Sequence, residues 1–231
     1  MQKILSVIVI SLLSGAVMAE QAALLVYKVW EQGTEPYFSR VLVTENFVRL
    51  DEGVEGEGFT LLDREKGIIY NISHEDHSIL VMAPESAPVG ENEILLLSEK
   101  VEEDKQAPMI GGRTPKNVEL LANTETCSQL VVVPGLMDVA VDGLRDFKKV
   151  LSRVQAATML AQPSELQTPC DLAANVYAPT RAFDHGLPIQ ERGEGRSQSL
   201  VDFNAAYNVE ATLFHLPKGY EQVPMKTLPA L

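Results

Sequence analysis

The sequence predicts an α+β fold in which an antiparallel sheet of short strands carries one amphipathic helix. Three observations predict it. From Leu24 to Met82 the chain is a series of short apolar runs, rich in β-branched and aromatic residues and separated by turn signals. From Leu136 to Leu160 the period changes, and Ala140, Leu144, Phe147, Leu151 and Val154 recur at steps of four and three. After that segment, extended apolar sequence returns in GLPIQ (186–190) and VEATLFHL (209–216).

Taken in order, Met1-Gln2-Lys3 is a short basic start, followed by an apolar run from Ile4 to Leu13 and by Val17-Met18-Ala19, which ends in the small-x-small pattern of signal peptidase sites. The run is too short to span a bilayer. The expectation is therefore a secretory signal over 1–19, cleaved after Ala19, a single domain over 20–222 and a C-terminal tail over 223–231. No cysteine follows the cleavage point to take a lipid anchor. LLVYKVWE (24–31), SRVLVT (39–44), FVRLD (47–51), FTLLD (59–63), GIIYNI (67–72) and SILVM (78–82) read as strands of a meander. Glu45-Asn46 reads as a two-residue turn with Asn supplying a left-handed backbone. Gly67 closes the turn Arg64–Gly67.

The stretch NISHEDHSILV (71–81) sets two readings against each other. His74, Asp76 and His77 are metal-ligand types, but a site would need them to converge with donors from elsewhere, and His185 and His215 stand far along the chain. Ser73 to His77 lies where a hairpin must reverse, so a turn is expected and no metal. EILLLSEKV (93–101), VELL (118–121) and QLVVV (129–133) continue the strands. On the helix, Asp142, Arg145, Asp146, Lys148, Lys149 and Arg153 form a mixed polar face, suited to packing on a sheet rather than on a membrane. Gly143 interrupts it at a cost of about 1 kcal/mol relative to Ala. CDLAANVYA (170–178) is a candidate second helix. ERGEGRSQS (191–199) reads as a flexible hairpin tip, and Ser199–Asn204 and Val209–Leu216 are expected to pair with each other as the last strands. The prolines of the tail suggest disorder.

Composition narrows function. With 19 basic and 32 acidic residues the net charge is −13, which repels nucleic acid and anionic headgroups. Cys127 and Cys170 are the two cysteines, and an even pair in an exported chain is expected to form a disulfide. No G-x-S-x-G, H-E-x-x-H or G-K-[ST] motif occurs, so no enzyme and no cofactor is expected.

The order of parts (a signal segment, FVRLD, LLDREKGIIYNI, a Cys before VVVPGLMD, an amphipathic helix, a second Cys, GLPIQ and LFHLPKGYEQV) resembles an exported bacterial family, domain of unknown function 4412. That family is similar to the LolA/LolB lipoprotein-carrier superfamily. The resemblance implies a curved antiparallel sheet, an open half-barrel of the LolA type, with helices over its concave face. It also implies a hollow for acyl chains and a periplasmic location. The expected lining is Val29, Val41, Val43, Leu61, Ile69, Leu80, Leu144, Phe147 and Leu151, although a one-residue register slip would exchange the faces. Arg40 and Arg49 lie where such carriers place a latch arginine, without its flanking pattern. The expected function is binding of a hydrophobic ligand, a lipid or a lipoprotein acyl chain. The alternative is an envelope protein-interaction or sensor module, with GVEGEG and EKVEEDK as acidic loops for a basic partner.

Overall fold

A computed structural model describes residues 19–84 and 95–225. Among the described residues, twelve strands form one open sheet in the order β12-β6-β5-β4-β3-β2-β1-β11-β10-β9-β8-β7. The strands are β1 (Ala19–Glu31), β2 (Tyr37–Val43), β3 (Phe47–Asp51), β4 (Phe59–Asp63), β5 (Ile68–Ser73), β6 (Ser78–Met82), β7 (Leu97–Glu103), β8 (Lys116–Ala122), β9 (Glu125–Val133), β10 (Leu187–Gly193), β11 (Arg196–Glu210) and β12 (Glu221–Pro224). Every pairing is antiparallel except β12 on β6. Among the described residues the α-helices are α1 (Asp138–Leu160) and α2 (Pro169–Leu172), the latter running into a π-helical turn, Ala173–Tyr177. The α+β class and the predicted meander therefore stand. Most of the expected signal segment, residues 1–18, and the start of EILLLSEKV lie outside the described residues.

Alternation along β1 organises the core. Ala23, Leu25, Tyr27 and Val29 pack with Val41, Val43, Val48, Leu62 and Ile69 beneath α1. Leu24 joins Leu42, Phe59, Leu61, Ile72, Ile79 and Phe214 in a second cluster, with Val26 packed against it. Each face of the meander is thus apolar, and each is covered by chain from outside it: one by α1, the other by the segment around Phe214. Tyr27 lies in the first cluster and donates its hydroxyl to the Pro188 carbonyl oxygen at 2.9 Å. Burial, reinforced by the Glu191 charge, pushes its phenol well above the ordinary range.

Helix α1 rides on β1, β2, β3, β5 and β10. Gly143 is its point of closest approach. A Cβ there would clash with Val43 Cγ1 and would lie 3.1 Å from Val43 Cγ2 and 3.2 Å from Val48 Cγ2. The glycine is therefore a packing requirement as well as a weak helix former. The polar face is also engaged. Arg64, from the β4–β5 turn, clamps Asp146 at 2.7 Å, and Arg145 donates to the Phe183 carbonyl oxygen. Lys148 is half-buried and donates to Asn175 Oδ1 on the turn after α2, and burial lowers its pKa.

Several expectations are corrected. Ser199–Asn204 and 209–216 do not pair with each other. One fifteen-residue strand, β11, runs through to Glu210, and a short 3-10 turn, Ala211–Phe214, follows. The irregularity near Asn204 is a bulge opposite Ala22 and Leu24, steadied by Asn204 Oδ1 accepting from the Ala206 amide. The tip of ERGEGRSQS shrinks to Glu194-Gly195, because Gly193 pairs with Arg196. EKVEEDK is strand, not loop, through Glu103. The tail reaches past 222 as β12, and the Met225 amide donates to the Val81 carbonyl oxygen. The Glu45-Asn46 turn forms, but Thr44 Oγ1 caps it by accepting from the Phe47 amide, and Asn46 is not among the left-handed residues. Cys127 and Cys170 are joined as expected, across a separation of 43 residues.

Candidate functional site

The NISHEDHSILV question resolves as a turn. His77 takes the left-handed backbone at φ 49. Ser73 and Asp76 bond across the reversal. The His74 ring pairs through Nδ1 with the Tyr220 hydroxyl at 2.7 Å, and the His77 ring lies against Tyr220. These histidines dock the chain that leads into β12. Among the described residues, no group of three or more His, Cys, Asp or Glu is placed to hold a metal.

The nine expected lining residues do not form one surface. Val29, Val41, Val43 and Ile69 are buried under α1, with Leu144, Phe147 and Leu151 of the helix half-buried against them. They interdigitate as core. Leu61 belongs to the cluster on the other face, since the alternation of β4 sends Leu62 toward α1 instead. Leu80 is 37% exposed. None of the nine lines the clefts described next.

The largest of these clefts, about 680 Å³, crosses β7, β8, β9, β10, β11 and the end of β1. Strand register builds it. One row of cross-strand neighbours reads Lys100, Glu119, Gln129, Arg192, Ser197, Trp30, and the next reads Glu102, Asn117, Val131, Gln190, Ser199, Lys28. Register partners share a face, so two rungs of mostly polar side chains lie side by side. All but Lys28 line the cleft. At its end, β1 gives Val29 to the core and Trp30 to the cleft. Trp30 is 39% exposed, and the Lys28 ammonium stands 5.3 Å from its ring. Lys100 and Glu119 pair at 2.7 Å. That hydrogen bond holds the Glu119 carboxyl below its ordinary range and raises Lys100. Gln129 also donates to Glu119.

A second cleft, about 520 Å³, is lined by Arg40, Arg49, Phe59, His74, His215 and the GVEGEG loop, among others. Asp51 sits between the two arginines, taking Arg40 Nε at 2.7 Å and Arg49 Nε at 2.6 Å. Burial works against its charge, but the two arginine hydrogen bonds outweigh burial and hold the carboxyl below its ordinary range. Arg49 lies 3.6 Å above the Phe59 ring and donates to the Leu213 carbonyl oxygen at 2.6 Å. It thereby fastens the segment that covers this face of the meander.

Sequence reasoning missed the large cleft because its signal was polarity. The segment ERGEGRSQS is hydrophilic because alternate residues face the cleft, and the same polarity reads as a loop when strands are sought by apolar runs. The alternation Gln190, Arg192 and Ser197, Ser199 was the available clue.

No family model matches the chain, and no curated protein matches it. Among solved structures it is similar to PNGF-II in two crystal forms. In the C2 form the match covers 89% of this chain and 31% of that one, at 10% identity and a TM-score of 0.39. In the P21 form it covers 89% and 32%, at 9% identity and 0.41. The chain thus spans about a third of those chains, and a likeness this shallow carries no argument about fold or function.

Proposed function

We propose that this protein is a non-catalytic binding module of the cell envelope, holding its ligand on the open sheet face that carries Trp30. The observation that supports this most is the double rung of polar side chains across six strands. Such rows place donors and acceptors in fixed positions on a rigid scaffold, which is what recognition without chemistry requires. The disulfide fits an oxidising compartment, in line with export to the periplasm.

A second reading keeps the hydrophobic ligand and the LolA-like half-barrel. Leu144, Phe147 and Leu151 are only half-buried along α1, and an acyl chain would enter there if the helix lifted from the sheet. Native mass spectrometry of protein released gently from the periplasm separates the two. A bound mass lost in Gln190→Ala and Trp30→Ala supports the sheet-face reading. A bound mass that persists in those variants and extracts as acyl lipid supports the second. A bare mass refutes a stable ligand in either place.

A further inference from the structure

Building on that sheet-face reading, we propose that the cleft takes an uncharged oligosaccharide chain. Its lining excludes an acyl chain. Of the fifteen residues that line it, Val118, Leu130 and Val131 are the aliphatic ones, and Val118 and Leu130 are 2% and 3% exposed. The lining also disfavours a charged ligand. On the face of the two rungs the cations Lys100 and Arg192 stand with the carboxylates Glu102 and Glu119, and Lys100 is already paired with Glu119. In a chain of net charge −13, this nearly balanced surface has no strong field of either sign to steer an ion.

What remains matches a sugar. Asn117, Gln190, Ser197 and Ser199 each carry both a donor and an acceptor, as a sugar hydroxyl does. The planar guanidinium of Arg192, which has no carboxylate within ion-pair distance among the described residues, can grip two adjacent oxygens. Trp30 offers a flat, half-exposed ring for the C–H face of a pyranose. Phe38, 52% exposed, pairs with Lys28 on the neighbouring strand and extends the aromatic end. With strands about 4.8 Å apart, a rung over six strands is roughly 24 Å long, the size of a short chain rather than of one ring. A peptide fits less well. Among the described residues, apart from the outer edge of β7, the main-chain groups of the strands the cleft crosses are already bonded to neighbouring strands, so a peptide lying across this face has no free ladder to join.

Trp30 is the chain's single tryptophan, so its fluorescence reports on this cleft alone. Cellohexaose, maltohexaose and chitohexaose are titrated into the oxidised mature protein, with calorimetry on the variants. At least one sugar is expected to shift Trp30 emission saturably. Asn117→Ala and Gln190→Ala should each weaken binding about tenfold, the loss of roughly one hydrogen bond. Lys149→Ala, on the exposed side of α1, should leave it unchanged. Thermal melts check that the variants stay folded. Silence with all three sugars, or binding indifferent to Asn117 and Gln190, overturns the oligosaccharide. If the bound mass described above still depends on Gln190 and Trp30, the cleft stands and a peptide or other ligand replaces the sugar. If that mass is absent too, both readings fall.

Discussion

Replacing Gly143 by Ala tests how α1 seats on the sheet. In an isolated helix the change gains about 1 kcal/mol, because Ala is the better helix former. Here the new methyl would clash with Val43 Cγ1 and press within 3.2 Å of Val48 Cγ2. Val43 and Val48 are 1% and 0% exposed, and β-branched side chains have little rotamer freedom with which to yield. A contact this close on a buried β-branched side chain belongs at the upper end of overpacking costs, about 2–3 kcal/mol, so the expected net is a loss of about 1–2 kcal/mol. For a domain of this size that lowers Tm by a few degrees, about 2–4 °C per kcal/mol. Urea denaturation of the oxidised protein measures it. Val43→Ala in the same chain should relieve the clash, so the double variant is more stable than the two single losses predict. A Gly143→Ala protein as stable as the parent, or more so, would refute the close-approach argument and leave the glycine as a mere weak point.

Asp51→Asn removes the charge that Arg40 and Arg49 share, and should cost about 3–5 kcal/mol as a broken buried pair, read by denaturant unfolding. Because the folded carboxyl titrates below the unfolded value of about 3.9, the parent's stability from this group is present above that value. It is lost as pH falls through the lower folded value, and the Asn variant should show a flatter acid limb in Tm against pH. Cys127→Ser with Cys170→Ser opens the 43-residue separation and should lower stability by about 4 kcal/mol in the loop-entropy model; reductant should act on the parent but not on the variant. Tyr220→Phe deletes the hydroxyl on His74. It should speed hydrogen exchange at the Glu221 and Met225 amides, which hold β12 to the β5–β6 turn and to β6, with little effect on amides of β1.

The sequence by itself determined the parts. Apolar period two placed the strands of the meander, and period 3.6 placed α1 within two residues of its start, because both patterns are local consequences of which side chains need burial. The even cysteine pair determined the bridge. Partners were legible only for consecutive strands. That β1 lies between β2 and β11, and that β12 adds in parallel to β6, depends on contacts between residues far apart in the chain, which no local period encodes. The same limit governed the site. The nine apolar residues were read as one lining, yet Leu61 and Leu80 fall elsewhere and the rest are core, because facing is set by register and by what covers each face. The cleft exists only where six strands, drawn from the first and second halves of the chain, align their polar alternates into two rungs. Each of its residues looks like ordinary solvated surface until the register sets them side by side.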